Sequence, residues 1–439
     1  MTQKLLERGL VGLLLVIAIG MVVHTPVTLW LGLQASGFEL IIKSWKELLM
    51  GLAFVLFIIL AARLKKVDEL LRDKLMQLCL VYAGLHLVMM MVFQNGLTSA
   101  GAGILIDLRY IFYFVLVYGT LRMFPGYRKL FTYSLVGGAI VVIGFALLQI
   151  FALPKDFLAN FGYSKETISP YLTVDENHDY IRINSTLRGP NPLGAYAVVI
   201  IGLLAALAVK WQLTRRGWII VGVGLAASLV VLNATYSRSS AIAGIATLLL
   251  VGFIGASLKW KKRAAIAVGI AGLITCVWLF IARDSLFVQN VILHNNPTTG
   301  ADVDSNAGHA ESLADGVGRM IRQPLGAGVG STGSASLTSD EPLIIENQYL
   351  LIAHEVGWVG LALFAWLYIA ILKGLWRRRT SALALGVFGS GIGLAIIGLL
   401  LPVWTDDMVS IIWWGLAGVA IAQPLQKKVK KYGSTRKSN

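Results

Sequence analysis

Residues 240–263 read SAIAGIATLLLVGFIGASLKWKKR, an uncharged run over 240–258 that ends in Lys259, Lys261, Lys262 and Arg263. A run of that length lets one helix cross a hydrocarbon core of roughly 30 Å. A cationic cluster at its end is the flank that stays on the cytoplasmic side of a bilayer. The pattern recurs along the whole chain. Apolar runs stand at about 9–31, 46–62, 75–94, 103–121, 131–151, 191–209, 217–233, 240–258, 264–282, 347–372, 382–402 and 408–425. They predict an all-α integral membrane protein of about 12 transmembrane helices.

Composition agrees: 56% of the 439 residues are hydrophobic and 14% charged, and the mean hydropathy is +0.73. A soluble globule carries about 25% charged residues, so that class is excluded. The net charge of +15 would suit nucleic acid if it formed one stripe or tail, but it does not. Of the 38 lysines and arginines, 27 fall in the N-terminus, 63–74, 122–129, 210–216, 259–263, 373–379 and the tail from Lys427. Those are alternate connections between apolar runs. The alternation predicts an even number of spans with both termini in the cytoplasm, and no nucleic-acid partner is expected.

The first run, from Gly9 to about Leu33, is too long for the apolar part of a cleaved signal peptide and is read as the first membrane helix. Cys79 and Cys276 lie inside apolar runs, so no disulfide framework is implied. The chain is read as a single polytopic membrane domain, 1–439, with external loops at 152–190 and 283–346 and a basic cytoplasmic tail at 427–439. Loops as long as the second are uncommon unless functional or disordered. Within it His309, Leu313, Val317, Met320 and Ile321 follow helical spacing, and Pro324-Leu325-Gly326 ends the run. This predicts an amphipathic helix that either lies on the outer leaflet or caps the bundle.

Four positions on the expected outer face could carry chemistry. Asp107 and Arg109 stand inside the fourth span, one or two turns from its outer end, where an ionisable group costs roughly 2.5–3.5 kcal/mol at the bilayer centre; Arg109 either snorkels to the interface or serves a site. Arg188-Gly189-Pro190-Asn191-Pro192 runs into the sixth span, with Asn191 expected as N-cap and Pro192 as first helical residue. An arginine beside a helix N-terminus suits a diphosphate. Arg238, bracketed by Ser237 and Ser239, either anchors a helix end or offers a planar fork to paired phosphate oxygens. Glu346, before Asn347, Gln348, Tyr349 and Leu350, either caps the tenth span or takes a proton from a sugar hydroxyl. His354 and Glu355 lie deeper and read as supporting or packing groups, while Gly357 and Gly360 let a neighbouring helix approach.

On these motifs, together with the run from Gly308-His309 to Pro324-Leu325-Gly326-Ala327-Gly328-Val329-Gly330, the chain from about residue 100 onward resembles the O-antigen ligase and O-antigen polymerase superfamily, integral-membrane glycosyltransferases of the GT-C class. The resemblance implies an enzyme of the bacterial inner membrane whose active site faces the periplasm or exterior. It implies transfer of a glycan from undecaprenyl diphosphate to an acceptor hydroxyl on a glycan, lipid or protein, without a nucleotide sugar, cofactor or obligatory metal. The family's diphosphate-binding arginines map onto Arg188 and Arg238. Its histidine before Asn-x-Tyr-Leu falls at Glu346, and His309 stands where many relatives have arginine.

The expected reaction is an inverting displacement in which Arg188 and Arg238 hold the leaving diphosphate with help from Arg109, His309, Arg319 or Arg322. Glu346 deprotonates the acceptor, and Asn347, Tyr349, His354 and Glu355 support the site. A polymerase, with a chain-length regulator as partner, and a ligase both fit. A transporter or flippase of lipid-linked oligosaccharide is the rival class.

Overall fold

A computed structural model describes residues 2–425 apart from 36, 211, 256–257, 294–304, 338 and 340. The basic tail at 427–439 therefore lies outside the described residues. The elements in chain order are α1 (Gln3–Gly20), which passes through a 3-10 turn into α2 (His24–Gln34), α3 (Glu39–Lys43), α4 (Trp45–Arg63), α5 (Val67–Leu71), α6 (Lys74–Val92), α7 (Leu97–Met123) and α8 (Arg128–Phe151). Next come β1 (Leu172–Val174), β2 (Asn177–Arg182), α9 (Pro190–Lys210), α10 (Arg215–Ala234), α11 (Arg238–Gly255) and α12 (Leu258–Ile281). The chain closes with α13 (Ser305–Arg322), α14 (Gly333–Ser336), α15 (Gln348–Arg377), α16 (Ala382–Gly398) and α17 (Asp407–Ile421).

Each of the twelve expected spans coincides with a helix. Among the described residues 9 are long and apolar enough to cross a membrane on their own, α1 and α2 together forming the first; α16, α17 and the C-terminal part of α12 are shorter apolar helices. The last two runs end earlier than hydropathy suggests, at Gly398 and Ile421. The residues after Gly398 leave the helix to build a rim of turns, and Ala422 turns extended. α7 begins at Leu97 rather than 103, so Asp107 and Arg109 stand about three turns in, not one or two.

Close approach of small residues holds the centre. A Cβ on Gly194 of α9 would lie 2.6 Å from Ser240 Oγ of α11, one on Gly202 2.9 Å from the Gly386 carbonyl of α16, and one on Gly389 2.3 Å from Val251. In lipid, where no hydrophobic force drives helices together, such backbone proximity supplies the dispersion contacts that do. Beside this trio the fully buried Trp404, Trp413 and Trp414 pack against Tyr110 and Tyr368, with ring centroids 5.0 Å apart for Tyr110–Trp414 and 5.3 Å for Tyr368–Trp413. Tilted pairs of this kind add to area burial.

The bundle has two distinct ends. At one, Arg122 pairs with Asp73, Arg128 donates to the Ala422 carbonyl and Leu425 N–H to the Arg122 carbonyl. The other, the loop end, gathers the described parts of the connections 35–44, 93–96, 152–189, 235–237, 282–293, 305–347 and 399–406. There Lys46, 4% exposed, is neutralised by Asp407 at 3.2 Å and Glu47 at 3.4 Å, and His24 reaches the same Asp407 oxygen at 3.2 Å.

Two local structures give the loop end its form. β1 and β2 form an antiparallel hairpin with Leu172 opposite Arg182; its turn residues Asp175 and Glu176 both take positive φ, the geometry of a tight hairpin turn. The second is a break in α15 at Gly357, whose φ of 69° and ψ of −173° are not helical. The carbonyls of His354 and Glu355 accept from Ala327 N–H at 2.5 Å and Gly328 N–H at 3.0 Å, and Trp358 N–H donates to the Pro324 carbonyl at 3.0 Å. The glycine-rich loop 324–330 thus satisfies the backbone groups that the break releases, as a low-dielectric setting requires. Glu355 adds a side-chain tie, accepting from Gly330 N–H at 3.0 Å.

Candidate functional site

At the loop end a cavity of about 510 Å³ opens between α11, α13, the β hairpin, the start of α15 and the turn after α16; Arg182, Arg238, Asn306, His309 and Glu346 line it. Three residues expected from sequence to share a site, Arg238, His309 and Glu346, therefore do share a space. Ile242, Leu399 and Leu400 also line it and are at least half exposed, so one wall is apolar and faces outward from the bundle.

The polar wall is built from distant elements. Arg238, the first residue of α11, donates to the Ile292 carbonyl at 3.2 Å and to Asn306 Oδ1 at 3.0 Å. Arg182, at the end of β2, donates from Nε to the Thr235 carbonyl at 2.8 Å and from Nη2 to Asn191 Oδ1 at 2.6 Å. The hairpin fixes the strand and Asn191 fixes the fork, leaving the other guanidinium edge for the cavity. Burial, with Arg238 nearby as a like charge, pushes the Arg182 guanidinium down to about 10; it stays fully charged at neutral pH.

On the same cavity, Glu346 Oε2 is in direct contact with His309 Nδ1 of α13. The helix-capping reading of Glu346 is corrected: Asn347 is the N-cap, its side chain accepting from Tyr349 N–H at 2.9 Å and Leu350 N–H at 3.0 Å, and no acid stands in the first turn. Glu346 is thereby one residue outside the helix. Asn347 also donates to the Leu399 carbonyl at 2.7 Å, and Tyr349 Oη to the Ala395 carbonyl at 2.9 Å, so both position the mouth of α15 against α16.

The remaining expected residues go elsewhere. Arg188 does not line this cavity. It pairs through Nε with Asp406 at 3.1 Å and borders a neighbouring space of about 250 Å³ that shares Asn191 and Leu401 with the first. The N-cap expectation for Asn191 also fails, because α9 already starts at Pro190 and the Asn191 amide oxygen is committed to Arg182. Arg109 donates to the Thr405 carbonyl at 2.5 Å and, with His24, Arg188 and Asp407, lines a third space of about 350 Å³. Arg319 bonds Asp315 at 2.6 Å on the far half of α13, and Arg322 is exposed at its last turn. Reading along the chain joins such residues because all lie at one end of the bundle; three-dimensional packing then sorts them into separate recesses.

Sequence reasoning missed Arg182, Asn306 and Asp406. Arg182 sits in a polar stretch with no period of its own, and Asn306 was hidden in a long loop. The one available signal was for Asp406 and Asp407: two adjacent acids between apolar runs are costly unless paired.

Comparison with known proteins adds a family. Residues 223–365 match the family described as O-Antigen ligase, about a third of the chain, from within α10 to within α15. The matched stretch contains Arg238, His309, Glu346 and Glu355 and leaves out Arg182 and Arg188. It bears out the resemblance to the ligase and polymerase superfamily, and with it a glycan-transferring activity of that general type. No curated protein matches the chain.

Proposed function

We propose that this membrane protein, matched to the O-antigen ligase family over 223–365, transfers a glycan from a polyprenyl diphosphate to an acceptor hydroxyl, and that the cavity lined by Arg182, Arg238, His309 and Glu346 is where transfer occurs. The observation that carries the reading is that two arginines and the Glu346 carboxylate, from three separate elements, line one space. In the reaction the acceptor oxygen attacks the anomeric carbon, forming the new glycosidic bond on the face opposite the breaking carbon–oxygen bond. The electron pair leaves with the lipid diphosphate. Two fixed guanidinium groups in a partly dry recess stabilise that charge where it develops, and their forks match paired phosphate oxygens. Glu346 takes the acceptor's proton, and His309 holds its carboxylate in place. The apolar wall of Ile242, Leu399 and Leu400 suits a prenyl tail arriving from the bilayer. Arg188 serves one recess away, bracing the rim through Asp406.

Supplying the purified protein in liposomes with a synthetic undecaprenyl-diphosphate oligosaccharide tests the reading. Release of lipid diphosphate with glycan transfer, lost in Arg238→Ala and Glu346→Gln, is expected. Full activity in both variants would refute the assignment, and passage of intact substrate across the bilayer would instead mark a flippase.

A further inference from the structure

Beyond the catalytic recess, the other end of α13 borders a larger cavity of about 600 Å³, lined by Arg319 and Gln323 of α13 and its C-terminal edge, Ser331 and Glu341 of the following loop, and His354 of α15. Three buried atoms on its wall have no hydrogen-bond partner among the described residues: His354 Nδ1, Gln323 Oε1 and Ser331 Oγ. His354 is only 3% exposed, yet it lines the cavity. Buried polar atoms are nearly always paired, and three residues from three segments that border one recess each carry one that is not.

We infer that this recess is a saccharide subsite that takes hydroxyl-rich sugars of the glycan at a distance from the reacting carbon. Sugar hydroxyls donate and accept at once, matching an amide oxygen, a hydroxyl and an imidazole nitrogen. A phosphate is disfavoured: Arg319 is already bonded to Asp315 at 2.6 Å, and Glu341 faces the same space. The wall is preformed. Asn95 Nδ2 donates to the Ala327 carbonyl at 2.9 Å, and Glu355 holds Gly330 N–H. His309 and Gln323 are both read along α13, so the two recesses stand roughly 20 Å apart at 1.5 Å per helical residue, a separation that an oligosaccharide of several units spans. The assignment of these sugars to the transferred glycan or its acceptor rests on the function proposed above; the recess and its ligand class do not.

The test uses full-length protein in lipid nanodiscs and amide hydrogen exchange. The probe is a phosphate-free oligosaccharide mixture released by mild acid from lipid-linked glycans of the source cells, with inorganic pyrophosphate run separately. Oligosaccharide is expected to slow exchange across 323–337 in the native protein, and the Gln323→Ala/Ser331→Ala variant to need at least tenfold more of it for the same protection. Unchanged exchange in the native protein, equal protection in the variant, or protection of 323–337 by pyrophosphate would each overturn the inference. Pyrophosphate protection at 305–313 reports on the transfer site alone, so failure there counts against the proposed function and leaves the sugar subsite standing.

Discussion

His309 of α13 and Glu346 at the mouth of α15 are in direct contact through Nδ1 and Oε2, so the carboxylate tied to α13 at that point lines the same cavity as Arg238 and Arg182. If this carboxylate is the base, Glu346→Gln lowers the rate of lipid-diphosphate release by roughly 10²–10⁴-fold with little change in donor KM. Glu346→His places the superfamily's residue there and retains part of the rate. That variant's activity then falls on acidification as the introduced imidazole is protonated and can no longer accept. Initial rates across the neutral range decide both points.

Arg182 and Arg238 are expected to act on the donor. Replacing Arg182 by Lys keeps the charge but removes the fork that Asn191 and Thr235 orient. Loss of a charge-assisted hydrogen bond, about 1.5–3 kcal/mol, predicts a donor KM raised about 10–100-fold in Arg182→Lys and Arg238→Lys alike. Steady-state kinetics with varied lipid-diphosphate concentration would show it; an unchanged KM in both would separate these residues from the donor.

Arg188 is expected to matter for stability more than for donor affinity. Asp406 is 4% exposed, and Arg188→Ala leaves its carboxylate with one fewer partner. The variant should lose about 1–3 kcal/mol, seen as a lower thermal midpoint in detergent, and Arg188→Ala/Asp406→Asn should recover most of it. A normal midpoint with a raised donor KM would give Arg188 the ligand role that its sequence context suggested.

Gly357→Ala should destabilise the loop end. The residue's φ of 69° and ψ of −173° lie where only glycine rests without strain, about 1–3 kcal/mol for another residue, and a Cβ there would stand 2.6 Å from the Pro324 carbonyl oxygen. Faster proteolysis within 324–330 is the expected sign.

α13 presents Leu313, Val317 and Ile321 unburied, the last 62% exposed. A nitroxide at Ile321 should be more accessible to oxygen than to a water-soluble relaxant, and one at Glu311 the reverse. Equal water accessibility at both would mean that the helix stands clear of the bilayer.

The spans were readable because lipid imposes one rule on every segment: an uninterrupted apolar run that closes its own hydrogen bonds. Residues 240–263 display it plainly, and α13 announced itself through the spacing from His309 to Ile321. The site was readable only in part. Arg238 and Glu346 stood out as charges at the ends of apolar runs, but the Arg188–Asp406 pair joins positions 218 residues apart, and no periodicity encodes such a meeting. Arg182 owes its place to a short hairpin and to Asn191, which local rules assign to capping. Likewise Gly357 reads as a packing glycine until the loop that fills the broken turn is seen.

That broken turn leaves the two edges of α13 held in different ways. Its C-terminal edge is hung on main-chain bonds from loop 324–330 to α15, with Trp358 Nε1 also donating to the Met320 carbonyl at 2.8 Å. Its N-terminal edge is latched by side chains, Asn306 to Arg238 and His309 to Glu346. One helix thus borders two recesses through unlike fastenings, main-chain bonds at the Gln323 edge and side-chain contacts at the His309 edge.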